Sequence, residues 1–184
     1  VVIQPDLNIV SKYQVVFKDY TDNPITEADL QTFSSTDELK KAVAKRGVAN
    51  DIRHVVWPII FDILPLDQQK REKVLKHRVD EYKSIKKQWT SLSKQQIKSW
   101  NVIKDAFATI RVDVKRTHPP PNVTVTDEWY AILMSLLKSF TIWNRNLRYT
   151  QGLNDIASNI MILFCKPTCT ALDDDVAEAL SFWC

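Results

Sequence analysis

Glycine is nearly absent from this chain, which has only Gly47 and Gly152 among its 184 residues. A sheet protein with many tight turns uses glycine wherever the backbone needs a positive φ, and a phosphate loop uses it for close approach. Neither a β-sandwich nor a glycine-rich phosphate loop is therefore expected. The scarcity favours an all-α fold with a short extended or mixed segment at its N-terminus.

Histidine is also scarce, and this limits the hydrolytic chemistry that the chain can carry. A catalytic triad or a zinc site needs histidine at particular positions, and His54, His77 and His118 stand in no recognisable constellation. Single serines such as Ser158 lack the strand-turn-helix motif of a nucleophile elbow. The sequence therefore argues against a hydrolase with its own catalytic centre, and no metal site is expected.

Cysteine is limited to Cys165, Cys169 and Cys184, an odd number with no histidine spaced to complete a zinc site. We interpret them as reduced thiols of a cytosolic protein. Long apolar runs are missing, and the first twenty residues lack the basic start and uninterrupted apolar stretch of a signal peptide. A soluble, cytoplasmic protein is expected.

An excess of one charge is missing as well. The chain has 25 basic and 22 acidic side chains, a net charge of +3, and both signs are spread along the sequence. This distribution does not indicate a nucleic-acid partner. A content of 45% hydrophobic residues is sufficient for one domain with a sizeable core.

Apolar side chains recur at the 3.6-residue period in five windows, which predict five amphipathic helices. Pro58 lacks an amide hydrogen and crowds the preceding turn, so we expect a break or kink near Trp57. The acidic run 173–175 suits the first turn of the last helix, and three consecutive prolines make 117–121 an extended connector. The windows span residues 52–63, 75–89, 129–143, 156–164 and 172–183.

Three local patterns precede Gly47. Residues 13–20, YQVVFKDY, are compatible with a short strand, and residues 23–33, NPITEADLQTF, with a turn that leads into a helix. Residues 35–47, STDELKKAVAKRG, predict a helix that is capped by serine and ends at glycine.

The first motif with chemical potential is IRVDVKRT, in which Ile110, Asp113 and Arg116 recur at three-residue steps. On a helix these side chains share one face, so Asp113 is able to orient the Arg116 guanidinium while Ile110 anchors the turn in the core. The alternative is a surface ion pair between Asp113 and Arg116 with no further role.

The second motif is RYTQGLND, which places Gln151 just before Gly152 and a periodic helix whose expected cap is Asn154. Glycine permits a tight turn that presents the Gln151 amide outwards. The alternative is a loop glutamine before an ordinary capped helix. A fixed positive charge together with a neutral donor and acceptor suits the stabilisation of phosphoryl transfer.

A third segment, RGVANDIRHVVWPII, places Arg53 and Trp57 one helical turn apart. The alternative to a functional role is that Arg53 lies across Trp57 and pairs with a carboxylate.

These motifs resemble those of the TBC family of GTPase-activating proteins for Rab GTPases, which act in vesicle trafficking. The IxxDxxR pattern of that family corresponds to Ile110, Asp113 and Arg116. Its YxQG pattern corresponds to Tyr149, Gln151 and Gly152, and its first motif to Gly47, Val48, Arg53 and Trp57. The chain departs from the family at Ala49, often proline, and at Leu153, often methionine.

The resemblance implies an all-α GTPase activator rather than an enzyme with its own substrate. Arg116 would be the arginine finger that acts in trans, and Gln151 would be the glutamine finger that orients the attacking water. The partner would be a Rab in its GTP form, which binds GTP and magnesium itself, so the chain needs no cofactor. The residues expected to support the site are Asp113, Arg53, Trp57, Tyr149, Gly152, Asn154 and Asp155.

Two alternatives to an active GTPase activator remain open: a catalytically silent Rab-binding or scaffolding domain, and a helical interaction module unrelated to Rabs.

The segment DEYKSIKKQW at 80–89 is similar to the corresponding segment of a subgroup that includes vacuolar and late-endosomal Rab regulators. The resemblance implies a lead-in over 1–46 and the N-terminal portion of the domain over 47–184. A start at Val1 and an end at Cys184 without a polar tail predict a fragment. Recruitment to endomembranes would come through the Rab or through missing regions.

Overall fold

The computed structural model describes residues 23–119, 123, 125–165 and 171–184. Within these ranges the chain forms nine α-helices and one short 3-10 helix, with no β-strand beyond an isolated bridge between Ile25 and Val48. The all-α prediction is therefore confirmed, and the strand predicted over 13–20 lies outside the described residues. The described residues divide into two compact units, with the boundary between Leu66 and Asp67.

Each of the five predicted windows overlaps a helix. The first unit contains α1 (Glu27–Leu30), α2 (Thr36–Arg46), the 3-10 helix (Asn50–Ile52) and α3 (Arg53–Ile60). The second contains α4 (Gln68–Thr90), α5 (Lys94–Ser99), α6 (Asn101–Arg116), α7 (Asp127–Trp143), α8 (Leu153–Met161) and α9 (Asp174–Trp183).

Helix α2 has the two ends that its sequence predicts. The Ser35 side chain accepts the backbone N–H of Glu38 at 3.2 Å, which satisfies one of the free amides of the first turn. At the other end Gly47 takes a φ of 68°, a left-handed value that favours glycine. The neighbouring Arg46 binds the Asp29 carboxylate at 3.0 Å and so links α1 to α2.

Pro58 lies inside α3, and of the break or kink expected near Trp57, the break does not occur, because the helix runs from Arg53 to Ile60. The helix continues to Ile60, because it is so short that the proline removes only one backbone hydrogen bond near its first turn. The helix ends three residues after Trp57. There the Pro58 carbonyl accepts the N–H groups of Ile63 and Leu64 at 2.9 and 3.0 Å.

Helix α7 lies at the centre of the second unit and packs against α4, α6, α8 and α9. The interior between these helices is apolar, and burial of each large aliphatic or aromatic side chain contributes about 1.5–3 kcal/mol. Its fully buried members include Ile110, Val114, Leu133, Met161, Phe164 and Leu180. Ile110 therefore anchors α6 in the core, as its motif predicts.

A polar cluster inside this unit joins three helices. The Glu178 carboxylate on α9 accepts the Tyr82 hydroxyl of α4 at 2.6 Å and the Ser135 hydroxyl of α7 at 2.7 Å. Lys86 of α4 donates to the same carboxylate at 2.8 Å. Burial and the adjacent Glu178 charge raise the pKa of Tyr82, so its hydroxyl remains a donor. A buried carboxylate with this many donors fixes the register of α4, α7 and α9.

The remaining sequence predictions concern the cysteines, the acidic run before the last helix, and membrane-spanning or metal-binding groups. Cys184 carries a free thiol, as predicted, and the buried Cys165 sulfur lies 3.6 Å from the Ser181 hydroxyl, whereas Cys169 lies outside the described residues. The acidic run predicted at the start of the last helix is placed there, with Asp173 at the N-cap. In the described part of the chain, no helix is long and apolar enough to cross a membrane, and no group of three acidic, histidine or cysteine side chains is arranged to hold a metal.

Candidate functional site

Side-chain hydrogen bonds join the end of α6 to the start of α8, two segments that are separated in sequence. The Tyr149 hydroxyl donates to the Asp113 carboxylate at 2.7 Å, and the Asn154 amide donates to the Thr117 hydroxyl at 2.9 Å. Asp113 and Thr117 flank Arg116, whereas Tyr149 and Asn154 flank Gln151. The structure therefore brings the two motifs of the sequence together through the neighbours of their central residues.

Asp113 does not contact Arg116 in the way that its spacing predicts. Asp113 is only 7% exposed, Arg116 is exposed, and no ion pair joins them among the described residues. A buried carboxylate needs strong donors, and Asp113 obtains one from Tyr149. The expected Asp113–Arg116 contact, in either of its two interpretations, is thus replaced by a bond to the other motif.

The Tyr149 hydroxyl is held in its protonated form. Burial, together with the hydrogen bond to the Asp113 carboxylate and its charge, raises the pKa of Tyr149 well above that of a free tyrosine. The hydroxyl is therefore a permanent donor to Asp113 near neutral pH. The Asn154 amide oxygen lies further from this hydroxyl, at 3.3 Å. One hydroxyl hydrogen serves one acceptor at a time, and the shorter contact to the carboxylate is the stronger.

Asn154 is not the cap of α8, contrary to the sequence prediction. Gly152 occupies the N-cap position with a φ of 99°, and Asn154 lies buried in the first turn. Its side-chain oxygen accepts the Gly152 N–H at 3.2 Å, and its amide group donates to Thr117 and to Asp155 at 2.9 and 3.0 Å. Asn154 therefore connects the turn that carries Gln151 to the end of α6.

Gly152 is required by its backbone conformation rather than by lack of space. Its φ of 99° is a value that residues with a Cβ atom rarely adopt, yet a Cβ built at this position would meet nothing within 4 Å. The sequence prediction of a tight turn at this glycine agrees with the observed geometry. Gln151 precedes it in the turn and is exposed, as expected for an amide that is presented outwards.

Thr117 is a member of the site that the sequence did not indicate. It follows Arg116 at the end of α6 with an extended backbone, φ −66° and ψ 123°, in the segment predicted to be extended. Its hydroxyl donates to the Asp113 carbonyl at 3.0 Å and accepts from Asn154. The only sequence signal was its position directly after the arginine, and threonine is common at helix ends.

Arg116 and Gln151 have free side chains at the centre of this arrangement. Among the described residues, neither side chain forms a hydrogen bond or an ion pair, and both are exposed. The positive charge of Arg116 lies at the C-terminus of α6, where the helix dipole favours a cation. The backbone on each side of both residues is fixed, whereas their polar ends remain available to a second molecule.

Arg53 and Trp57 belong to α3 in the first unit. Arg53 is exposed, and its Nε donates to the Val48 carbonyl at 3.3 Å rather than to a carboxylate. Trp57 stacks on Phe61 with ring centres 5.8 Å apart, and its buried Nε1 has no partner among the described residues. The predicted pairing of Arg53 with a carboxylate is therefore not observed. The indole N–H of Trp57 is buried without an acceptor among the described residues.

Asp155, the last of the predicted supporting residues, has a local role. Its carboxylate accepts from Asn154 at 3.0 Å, and its carbonyl accepts the Ser158 hydroxyl at 2.9 Å and the Asn159 amide at 2.8 Å. The Ser158 hydroxyl therefore forms a local hydrogen bond within the first turns of α8, in agreement with the absence of a nucleophile motif around it. The Asp155 carboxylate thus helps to fix the orientation of the Asn154 amide.

Similarity to known proteins agrees with this geometry. A family model for the Rab-GTPase-TBC domain matches residues 50–184. The chain is 26% identical to the GTPase-activating protein GYP7 of Candida glabrata over 88% of its length, and 26% identical to human TBC1 domain family member 25 over 75%. It spans 24% and 21% of these two relatives, so it corresponds to about a quarter of their length.

The crystal structure of the YPT/Rab-GAP domain of Gyp1p has the same fold. The superposition gives a TM-score of 0.59 at 21% identity and covers 96% of this chain and 55% of that one. At this identity the likeness concerns the fold alone. The family match covers well over half of the chain, from the 3-10 helix to Cys184, and includes the Asp113, Arg116, Tyr149 and Gln151 positions. The chain therefore belongs to the Rab-GTPase-TBC domain family.

Proposed function

We propose that this chain activates Rab GTPases by supplying Arg116 and Gln151 to the active site of a GTP-loaded Rab. One observation carries the proposal. Two exposed side chains, Arg116 and Gln151, have no partner among the described residues, and hydrogen bonds between their neighbours join the two backbone segments that carry them. Family membership supports it, as do the names of relatives such as GYP7 and GYP1, both called GTPase-activating proteins.

Arg116 has the chemistry of an arginine finger. Phosphoryl transfer spreads negative charge over the transferred group and the leaving oxygen, and a planar, permanently charged guanidinium stabilises that charge through paired hydrogen bonds. Such a residue accelerates hydrolysis by about 10³ to 10⁵-fold, equivalent to ~4–7 kcal/mol of barrier. Arg116 is suited to this role because none of its donors is engaged within the described residues.

Gln151 has the chemistry needed to orient water. A neutral amide donates and accepts at once, so it is able to hold the attacking water and a nearby carbonyl in one geometry. The turn at Gly152 exposes this amide, and Asn154 fixes the turn through its bond to the Gly152 N–H. Gln151 would therefore act together with Arg116 on the same phosphoryl group.

The network between the two motifs would act by preorganisation. Transition-state stabilisation is larger when the donors are already placed before the reaction. Asp113, Thr117, Tyr149 and Asn154 connect α6 to the turn before α8, so the backbones of both fingers share one rigid support. Only the ends of Arg116 and Gln151 would need to order on binding.

The nucleotide and its magnesium would belong to the partner. The chain would meet a Rab in its GTP form in the cytoplasm, and its recruitment to endomembranes would follow from that Rab. Arg53 would support binding through its exposed guanidinium, and Trp57, whose indole N–H is buried, would act by packing on Phe61 within α3 and the residues after it. The function requires no cofactor of the chain itself.

The test is single-turnover GTP hydrolysis across a panel of GTP-loaded Rabs, with the wild-type protein, Arg116→Ala and Gln151→Ala. Arg111→Ala is the matched control, because Arg111 is another exposed arginine of α6. We expect acceleration of at least one Rab that falls by about 100-fold or more in both finger variants and stays within about twofold in the control. Binding to GTP-loaded Rab without faster hydrolysis would reject activation and favour a scaffolding role.

A further inference from the structure

Two residues other than glycine have left-handed backbones within the described part of the chain. They are Asp62, with a φ of 60°, and Arg148, with a φ of 55°. This conformation brings the Cβ atom close to the following carbonyl oxygen, so it costs free energy for residues other than glycine, and Asp and Asn tolerate it best. Arginine has no such tolerance, which makes Arg148 the more unusual of the two.

The Asp62 side chain forms an ion pair that offsets the cost of its left-handed backbone, whereas the Arg148 side chain forms none with the described residues. The Asp62 carboxylate binds Lys40 at 2.7 Å, within the first unit. The Arg148 guanidinium forms no hydrogen bond or ion pair with any residue that the structure describes, and the side chain is exposed. Nothing within the described fold therefore rewards an arginine at this position, although glycine or asparagine would fit the same backbone at lower cost.

The backbone around Arg148 is fixed on both sides. The Asn144 side chain accepts the Leu147 N–H at 3.0 Å, and the Asn144 carbonyl accepts the Arg148 N–H at 3.0 Å. The following residue, Tyr149, is tied to Asp113 through its hydroxyl. The loop thus presents a free positive charge three residues before Gln151, on the same support as the proposed glutamine finger.

We propose that Arg148 is a docking residue that binds a carboxylate on the surface of the GTPase. The proposal rests on the function proposed above. A guanidinium at the edge of an interface binds a carboxylate through two parallel hydrogen bonds and attracts it during encounter. Arg116 supplies the positive charge at the reacting atoms, so Arg148 acts on association and affinity rather than on the chemical step.

The experiment compares wild type with Arg148→Asn and Arg148→Gly. Both changes suit a left-handed backbone and remove the charge. Arg145→Ala is the matched control, because Arg145 lies in the same exposed loop, has no side-chain partner among the described residues and carries the same charge. The probe is the GTP-loaded Rab that wild type accelerates most. Its Kd, the KM and kcat of hydrolysis, and the Tm of each variant are measured at about 50 and 300 mM salt.

We expect KM and Kd to rise about three- to tenfold in both Arg148 variants at low salt, with a smaller change at high salt. kcat should stay within about twofold, Arg145→Ala should match wild type, and Tm should be unchanged or higher. An unchanged KM would overturn the proposal, and so would a fall in kcat alone, which would place Arg148 on the nucleotide. An equal effect of Arg145→Ala would show that only the net charge of the loop affects binding, and it would also overturn the specific docking role of Arg148.

Failure of the two proposals is distinguishable. If wild type binds a GTP-loaded Rab without accelerating hydrolysis, the activation mechanism is rejected, and Kd of the Arg148 variants for that Rab still decides the docking role. If wild type accelerates hydrolysis and the Arg148 variants bind as tightly as wild type, only the docking role is rejected. If no Rab binds, both are rejected.

Discussion

The hydroxyl of Tyr149 lies 2.7 Å from a carboxylate oxygen of Asp113, and this bond joins the two motifs that carry the proposed fingers. Asp113 is buried, so the bond satisfies a charge that would otherwise be costly inside the protein. Tyr149 precedes Gln151 by two residues, and Asp113 precedes Arg116 by three. A single tyrosine hydroxyl therefore contributes both to the stability of the second unit and to the relative placement of Arg116 and Gln151.

The first prediction concerns Tyr149→Phe, which removes this hydroxyl and leaves the Asp113 carboxylate without its donor. We expect the free energy of unfolding to fall by about 1–3 kcal/mol, measured by urea denaturation. Tyr130→Phe is the control, because the one contact that its hydroxyl makes with the described residues is a long one, 3.5 Å to the Thr117 carbonyl. An equal loss in both variants would show that the bond to Asp113 contributes nothing specific.

Tyr149 also predicts a dependence of stability on alkaline pH. Its pKa is raised by burial and by Asp113, so the folded state retains this proton at a pH where the unfolded chain, with a pKa of about 10, releases it. The resulting stabilisation is complete below pH ~10 and is lost as the pH rises further. The unfolding free energy should decline less steeply above pH ~10 in Tyr149→Phe. A decline as steep as that of wild type would contradict the raised pKa. Tyr82 and Cys184, whose pKa values are also raised by burial, contribute to the slope that remains in the variant.

The helices of this protein follow closely from local sequence, whereas the site follows from it only in part. Periodic apolar residues and cap signals act over a few neighbours, and α2 with its Ser35 and Gly47 ends is recoverable from them. The bond between Asn154 and Thr117 joins residues 37 positions apart and depends on how α6 and α8 pack. No local pattern encodes such a contact.

Asp113 illustrates why spacing alone misassigned a partner. A separation of three residues on a helix predicts contact with Arg116, but the helix faces the core at Asp113 and solvent at Arg116. The stronger requirement is that a buried carboxylate receives a donor, which Tyr149 supplies from another segment. The prediction that Asn154 caps α8 is wrong because the helix begins two residues earlier than expected, with Gly152 at the N-cap and Asn154 inside the first turn.

Gly152→Ala tests the backbone requirement at the glutamine turn. The φ of 99° lies outside the range that alanine favours, so we expect a loss of about 1–2 kcal/mol in unfolding free energy and a lower rate of stimulated GTP hydrolysis. A Cβ meets nothing within 4 Å, so the variant should still fold. Gly152→Asn should lose less than Gly152→Ala, because asparagine tolerates positive φ. The reverse order would indicate that side-chain bulk, not φ, matters there.

Glu178→Gln tests the buried polar cluster of Glu178, Tyr82, Ser135 and Lys86, which shares no residue with the hydrogen bonds around the proposed fingers. The substitution keeps the shape but removes the charge that Lys86, Tyr82 and Ser135 stabilise. We expect a loss on the order of 1.5–3 kcal/mol by urea denaturation, towards the low end because the Lys86 side chain is 36% exposed. The kcat of stimulated hydrolysis should remain near that of wild type. If the variant is as stable as wild type but has a low kcat, the prediction is wrong and the cluster affects the hydrolysis step.

Arg116→Lys distinguishes the geometry of the proposed finger from its charge. Lysine retains the positive charge, but its compact ammonium lacks the planar fork that binds two oxygens at once. We therefore expect stimulated GTP hydrolysis to fall almost as far in Arg116→Lys as in Arg116→Ala, by about 100-fold or more in single-turnover measurements. Stability should be unaffected, because the Arg116 side chain is exposed and makes no bond among the described residues. A lysine variant within about threefold of wild type would mean that a point charge suffices, and the role assigned to the guanidinium would be wrong.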